Sequence, residues 1–391
     1  MKLLLVAGEA SGDVLGADLL AGLRQRFPDL LALGVGGPQM RRQGLQSPYD
    51  VNDLSVIGLV EVVRRLPRLY RVFRYLLTLL REEKPDLLVT IDLPDFNLVL
   101  AGRAKRLGIP VIHYVTPQVW AWRRGRVELI ARLMDHLLVL FPFEPQYYAG
   151  TGLPVTFVGH PLVKRLRGQR SREEVRRELG VASGQPLLVV LPGSRRSEVA
   201  RLLPLMLQTC QQMARVLPQC RFVLAQAETL SRESLDLHWP PSVPRDVMIR
   251  QGMTHDLLLA ADAALVASGT ATLEAALLAT PMVVVYRVNW FTYEVGRRVI
   301  RVPFISLANL VAGYGVVVER IQGEANPDRL AADLLPLLAD PQANRQMRDN
   351  LSIVGTLLAP PERGAVEIVG DFLHQQIRKK TRQLHLKNQV L

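Results

Sequence analysis

The sequence predicts an α/β protein made of two doubly wound, parallel-sheet domains in tandem. Three observations lead there. Short apolar runs recur along the chain, each closed by a turn residue and followed by a longer amphipathic stretch, which is the pattern of βαβ units. The runs fall into two series, one in each half of the sequence. The length, 391 residues, gives each series a domain of ordinary size at roughly 100 to 200 residues apiece.

The first series stands at 3–7, 87–91, 111–115 and 137–140, and the second at 187–191, 221–225, 263–267 and 282–286. Between them, 164–185 is rich in Arg, Glu and Gly and carries no strand signal. The boundary is placed there, giving a first domain at 1–163, a second at 164–355 and C-terminal helices at 356–391. That last stretch ends in Arg378, Lys379, Lys380, Arg382 and Lys387, which read as a solvated tail. The longest apolar tract, 263–286, is broken by Ser268, Gly269, Thr270 and Glu274 and reads as strand, turn, helix, strand. No segment has the length and apolarity of a membrane span. The apolar run at the start meets Gly8 and Glu9 too early for a signal peptide.

Hydrophobic residues at 49% and charged residues at 21% exclude a disordered, collagen-like or coiled-coil chain. Cys210 and Cys220 are too few for a disulfide scaffold and form no Cys-x-x-Cys pair, so a reducing cytoplasm is expected. The 48 Lys and Arg outnumber the 36 Asp and Glu, leaving +12. Such a balance calls for a polyanionic partner, a phosphorylated substrate or an anionic membrane surface. Nucleic acid is disfavoured, because no RNA-binding or helix-turn-helix signature accompanies the charge.

In doubly wound proteins ligands bind beyond the carboxyl ends of the strands, so the informative residues stand where each run stops. The first run ends in Gly8-Glu9-Ala10-Ser11-Gly12-Asp13. Its spacing fits neither a Walker loop, nor a dinucleotide fingerprint, nor a nucleophile elbow. The run at 87–91 passes into Asp92-Leu93-Pro94-Asp95-Phe96-Asn97. A carboxylate at that point can accept a proton from a substrate hydroxyl. Asp95 and Asn97 read equally well as helix caps, whereas Asp92 precedes the cap region. The run at 111–115 leads into a stretch holding His113, Trp120, Trp122 and Arg123, aromatic faces and a cation suited to sugars and phosphates. A lone His in such a place is more often structural.

In the second series, Pro192-Gly193-Ser194-Arg195-Arg196 offers backbone N–H groups and guanidinium forks to a phosphate. Ser268-Gly269-Thr270, followed by Glu274 one helical turn on, suits a pyrophosphate at a helix N-terminus with a bidentate acceptor for ribose hydroxyls. The other reading is small residues for tight helix–sheet packing and a carboxylate favoured by the helix dipole. The stretch 57–84 differs in kind. Apolar residues including Leu69 and Phe73 recur at helical spacing with Arg68, Arg71 and Arg74 between them. A basic amphipathic helix suits a membrane surface, and most apolar helical stripes are ordinary core.

Taken in order, GEASGD at 8–13, GVGGPQM at 34–40, IGLVEVVRRL at 57–66, DLPDFN at 92–97, HYVTPQVWAWR at 113–123, FPFE at 141–144, FVGHPL at 157–162, LPGSR at 191–195, ASGTATLE at 267–274, PMVVVYR at 281–287 and SLANL at 306–310 are similar to the blocks of one family. Across nearly its whole length the chain resembles the lipid-A-disaccharide synthases, inverting glycosyltransferases of the GT-B fold with two Rossmann-like domains facing across a cleft. The resemblance implies a UDP-2,3-diacylglucosamine donor and a 2,3-diacylglucosamine 1-phosphate acceptor, joined β-1,6 with release of UDP. Other GT-B enzymes, a UDP-GlcNAc 2-epimerase or the glycosyltransferase of peptidoglycan's lipid-linked precursor, share the nucleotide half and differ in the first half.

The resemblance also implies roles. Asp92 is the expected general base, acting directly or through a water or His113, with Glu9 beside it. Ser11, Asn97, Trp120 and Arg123 are expected on the acceptor side. Ser194, Arg195 and the turn Ser268-Gly269-Thr270 are expected on the UDP phosphates, Glu274 on the ribose and Gly252 and Met253 beside the uracil. Asn309, Glu319 and Gln322 match a segment facing the donor. No Asp-x-Asp pair is present to hold a metal, and neither metal nor cofactor is expected. Leu69, Phe73, Arg68, Arg71 and Arg74 are expected to touch an anionic membrane on its inner, cytoplasmic face. The family pattern SLPNL has Ala308 in place of its proline here, and Gly315 stands where a Glu is expected. Oligomeric state, a homodimer included, stays open.

Overall fold

The computed structural model describes residues 1–54, 59–117, 119–120, 124–166, 170–300 and 302–389. The chain forms two compact units, Met1–Pro161 together with Pro360–Leu391, and Leu162–Ala359. In the first, β1 (Lys2–Ala7), β2 (Leu31–Val35), β3 (Leu87–Ile91), β4 (Val111–Tyr114), β5 (His136–Val139) and β6 (Val155–Phe157) form one sheet in the order β2-β1-β3-β4-β5-β6. In the second, β7 (Leu187–Leu191), β8 (Arg221–Gln226), β9 (Met248–Gln251), β10 (Ala263–Ala267), β11 (Met282–Tyr286) and β12 (Val318–Ile321) take the order β12-β11-β10-β7-β8-β9. Every pairing is parallel.

Helices cover both faces of such sheets, so central strands are apolar along most of their length. β3, β7 and β10 are buried at every position. All eight apolar runs read from the sequence are strands. The four strands without such a run, β2, β6, β9 and β12, are the four sheet edges. An edge strand is covered by fewer neighbours and tolerates Gly34, Thr156, Arg250 or Glu319.

The C-terminal stretch, expected as a segment of its own, packs into the first unit. The helix Ala365–Gln389 buries Ile368, Val369 and Leu373 in the same core as Leu3, Leu5 and Val89. Arg26 pairs with Asp371 at 3.3 Å, and Lys380 pairs with Asp86, so the basic tail is partly tied down. The helix Leu59–Glu82 is also more core than expected. Val72, Leu76 and Leu80 are fully buried, Leu69 and Phe73 pack partly against them, and Phe73 meets Phe96 edge-on at 5.7 Å. Arg68 pairs with Asp53. Arg71 and Arg74 are exposed, as are Leu66 and Tyr70. No described helix is long and apolar enough to cross a membrane.

Candidate active site

In the first unit β1 and β3 lie side by side with Ala7 opposite Ile91. β1 leads to β2 on one flank and β3 to β4 on the other. This reversal of strand order is where doubly wound sheets bind their ligands. The residues that follow are Gly8-Glu9 and Asp92-Leu93, and a glycine is what lets the two turns meet. A Cβ at position 8 would stand 2.6 Å from Leu93 Cβ.

Asp92 and Leu93 are both left-handed, with φ of 53° and 46°. Non-glycine residues held in that region cost about 1–3 kcal/mol each and persist only where their surroundings fix them. The Asp92 amide donates to Tyr114 O at 2.9 Å, the Asn97 amide donates to Leu93 O at 3.0 Å and Asn97 Nδ2 donates to Asp92 O at 2.6 Å. Asn97 has no solvent exposure. It is therefore a prop beneath Asp92 and does not line an acceptor surface. Asp95 is exposed in the first turn of the helix Pro94–Arg106, paired with Arg126, where its charge suits the helix dipole.

Burial raises the Asp92 carboxyl above the usual aspartate value. Glu9 is raised as well, by partial burial and then by the charge of Asp92 beside it. Glu9 occupies the N-cap of the helix Ala10–Arg26 without using its side chain as a cap, and Ser11 is exposed in the first turn. Two carboxyls with raised affinity for protons thus share one switch point. Asp13, which the sequence reading passed over, explains two blocks at once. Its carboxylate accepts from the amides of Gly37, Gln39 and Met40 at 2.8–3.0 Å and so locks GEASGD to GVGGPQM.

Two further expectations in this unit are corrected. His113 sits inside β4, 2% exposed, with Nδ1 2.7 Å from Thr90 Oγ1. Burial lowers its pKa to about 4, so the ring is neutral and enclosed and cannot shuttle a substrate proton. Trp120 is 5% exposed and meets Phe143 edge-on at 5.3 Å, so it belongs to the packing beneath its loop. Arg123 lies outside the described residues. The group that ties Thr116 to the turn after β5 is Glu144, which accepts from the Leu140 and Phe141 amides and from Thr116 Oγ1. Burial raises it to about 7. An acid after Phe141-Pro142-Phe143 reads as a turn residue, which is why sequence reasoning gave it no role.

In the second unit β7 and β10 are neighbours, Leu191 opposite Val266, with β8 beyond one and β11 beyond the other. The turns after them enclose a cavity of about 350 Å³ lined by Ser194, Arg195, Ser268, Gly269, Thr270 and Glu274. A second cavity, about 530 Å³, shares Thr254 and Glu274 with it and adds Gly252, Met253 and His255. The donor-side residues expected from both loops therefore come together. A Cβ at Gly269 would meet no atom within 4 Å, so tight helix–sheet packing is not the reason for that glycine. The space stands open at the start of the helix Thr270–Leu277, whose first amides have no partners within the helix.

Arg195 is 80% exposed and donates to Glu198 Oε1 at 3.0 Å, while Glu198 Oε2 accepts from the amides of Ser194 and Arg195. Exposed pairs of this kind hold weakly, so the guanidinium is free to turn to another anion. Glu274 lies 3.3 Å from His255 Nε2.

Asn309, Glu319 and Gln322 do a different job from the expected one. Asn309 is buried, its amide donating to Val317 O and Glu319 Oε1 and its oxygen accepting from Val316 and Val317. Glu319 also accepts from the Ile305 and Ser306 amides. Gln322 bonds both N and O of Val288. Asn309 is saturated by the protein, and the three side chains together position the backbone around the turn Ser268-Gly269-Thr270. Ala308 is fully buried in the helix Leu307–Ala312, and Gly315 is exposed after it.

Two parallel six-stranded sheets with a polar pocket at the switch point place the chain in the two-domain α/β class that includes nucleotide-sugar epimerases and glycosyltransferases. The UDP-GlcNAc 2-epimerase of Neisseria meningitidis, solved with UDP-GlcNAc, superposes with a TM-score of 0.57 at 13% identity, over 97% of this chain and 100% of that one. The calicheamicin glycosyltransferase CalG4 gives 0.57 at 16% identity, over 95% and 98%. Both show the fold. The family is narrower: the chain belongs to the lipid-A-disaccharide synthetases, whose family model matches residues 3–359. The lipid-A-disaccharide synthase of Anaeromyxobacter sp. (strain K) is 42% identical over 376 residues, covering 94% of this chain and 97% of the relative.

Proposed function

We propose that the protein is a lipid-A-disaccharide synthase that moves 2,3-diacylglucosamine from its UDP ester to 2,3-diacylglucosamine 1-phosphate, with inversion and without a metal. The carrying observation is the desolvated Asp92 carboxyl, held in a left-handed turn at the first unit's switch point. The acceptor 6-hydroxyl gives its proton to Asp92 as its oxygen bonds to the anomeric carbon. The bond from that carbon to the diphosphate breaks, and the electron pair leaves with UDP. Raised proton affinity brings Asp92 nearer to the operating pH, which favours general-base work. Glu9, on the same rim, orients the acceptor.

In the second unit Ser268, Gly269 and Thr270 receive the diphosphate on the helix N-terminus, with Arg195 as a mobile counter-charge. Glu274 takes the ribose, and Gly252 and Met253 flank the base. The exposed Arg71, Arg74, Leu66 and Tyr70 suit a peripheral contact with an anionic bilayer on its cytoplasmic side.

The test is UDP release with both lipids in detergent, with and without EDTA, beside Asp92→Ala. The expected result is release that needs both lipids, survives EDTA and collapses in the variant. Release from UDP-GlcNAc alone would assign the chain to epimerase-like chemistry instead.

A further inference from the structure

The segment between β11 and the helix Leu307–Ala312 is fixed at its two ends, and its described middle exposes large apolar side chains. At one end Val288 is gripped through both N and O by Gln322. At the other Ile305 accepts from Ser268 Oγ at 2.9 Å, and the Ile305 and Ser306 amides bind Glu319. Ser268 is in the phosphate turn itself, so the excursion begins and ends beside the diphosphate pocket.

Between them lies the helix Trp290–Val299, with Trp290 71%, Val295 44% and Val299 47% exposed, and Ile300, just past its end, 45% exposed. Large apolar side chains grouped on one short helix mark a binding surface, whereas scattered ones need no explanation. Arg297 and Arg298 both reach Glu294, so the helix's own acid offsets one of their two positive charges. The apolar side chains beside them stay exposed.

We propose that this helix receives the acyl chains of the donor, making it the element that distinguishes a diacylated UDP-sugar from a plain one. The inference rests on the reading of the Ser268 turn as the diphosphate site. The anchoring supplies the argument for the occupant: the surface is tied through Ser268, which lines the pocket and donates to Ile305 O, to the site that holds the polar end of the same molecule. A bilayer would need no such connection. Asn309, Glu319 and Gln322 then connect polar and apolar recognition, because they fix the backbone at both ends of the excursion.

The experiment is the triple variant Trp290→Ser, Val295→Ser, Val299→Ser in the full-length protein, all three positions being exposed. Three quantities are read: KM for the long-chain donor in detergent, KM for a short-chain diacyl donor, and the UDP dissociation constant. KM for the long-chain donor is expected to rise about tenfold or more from lost apolar contact, with the short-chain value and the UDP constant unchanged. An unchanged long-chain KM overturns the proposal. So does a loss of binding to phosphatidylglycerol vesicles at unchanged KM, which would assign the helix to the membrane. Failure of the wild-type protein to turn over any diacyl donor would instead strike the underlying reading of function.

Discussion

The two switch points are built on opposite principles. In the first unit the turns after β1 and β3 are crowded, with Gly8 against Leu93, Asp92 and Leu93 forced left-handed and two carboxyls raised in proton affinity. In the second the turn after β10 is open, with free space at Gly269 and hydroxyls and backbone amides around it, while the turn after β7 is tight only where Gly193 faces Glu198. A group that must take a proton is helped by lost solvation and rigid placement. A group that must hold a diphosphate needs room and unsatisfied donors. One architecture serves both because the sheet fixes only where the turns stand.

The contrast can be broken most directly at Asp92. Asp92→Asn is expected to lower kcat roughly 10²- to 10⁴-fold while leaving the UDP dissociation constant unchanged by calorimetry. A matching loss of UDP affinity would show that the two regions do not divide the work. Glu274→Gln tests the other side and should weaken UDP binding about tenfold or more, with kcat at saturating donor largely kept. In the wild type the acidic limb of kcat should fall above the ordinary aspartate range, because burial favours protonated Asp92.

Two smaller effects sharpen the account of how the crowded site is held. Glu144 is raised from 4.5 to about 7 in the folded protein. Between those values the unfolded chain ionises this group while the folded one keeps it protonated, so its contribution to stability is lost as pH rises through the window. The loss across it is about 3 kcal/mol, and Glu144→Gln should flatten that part of the denaturation profile. Asn97→Ala should cost about 1–3 kcal/mol by leaving the Asp92 carbonyl without its donor. It should also lower kcat more than KM, since Asp92 loses the prop beneath it.

Most of the fold was legible in the sequence because central parallel strands are apolar along most of their length. The edges were not, since Met248–Gln251 or Val318–Ile321, half-covered and carrying Arg250 or Glu319, have no periodic signature. The same limit governed the site. Asp92, Glu9 and the turn Ser268-Gly269-Thr270 were visible because strand ends are where chemistry gathers. Whether Asn97, His113 or Asn309 faced outward or inward depended on how turns and neighbouring strands close around them, which no residue pattern shows. Thr90 encloses His113, and Val316 and Val317 saturate Asn309.

The return of Ala365–Gln389 to the first unit has a consequence for the order of assembly. The whole of Leu162–Ala359 is in effect an insertion within another domain. On the ribosome the inserted domain can close its core while the one begun earlier still lacks Ile368, Val369 and Leu373 over Leu3 and Leu5. The unit that carries Asp92 is thus the first begun and the last completed. A chain cut short near its end would carry a finished turn at Ser268-Gly269-Thr270 and an unfinished surround for Asp92.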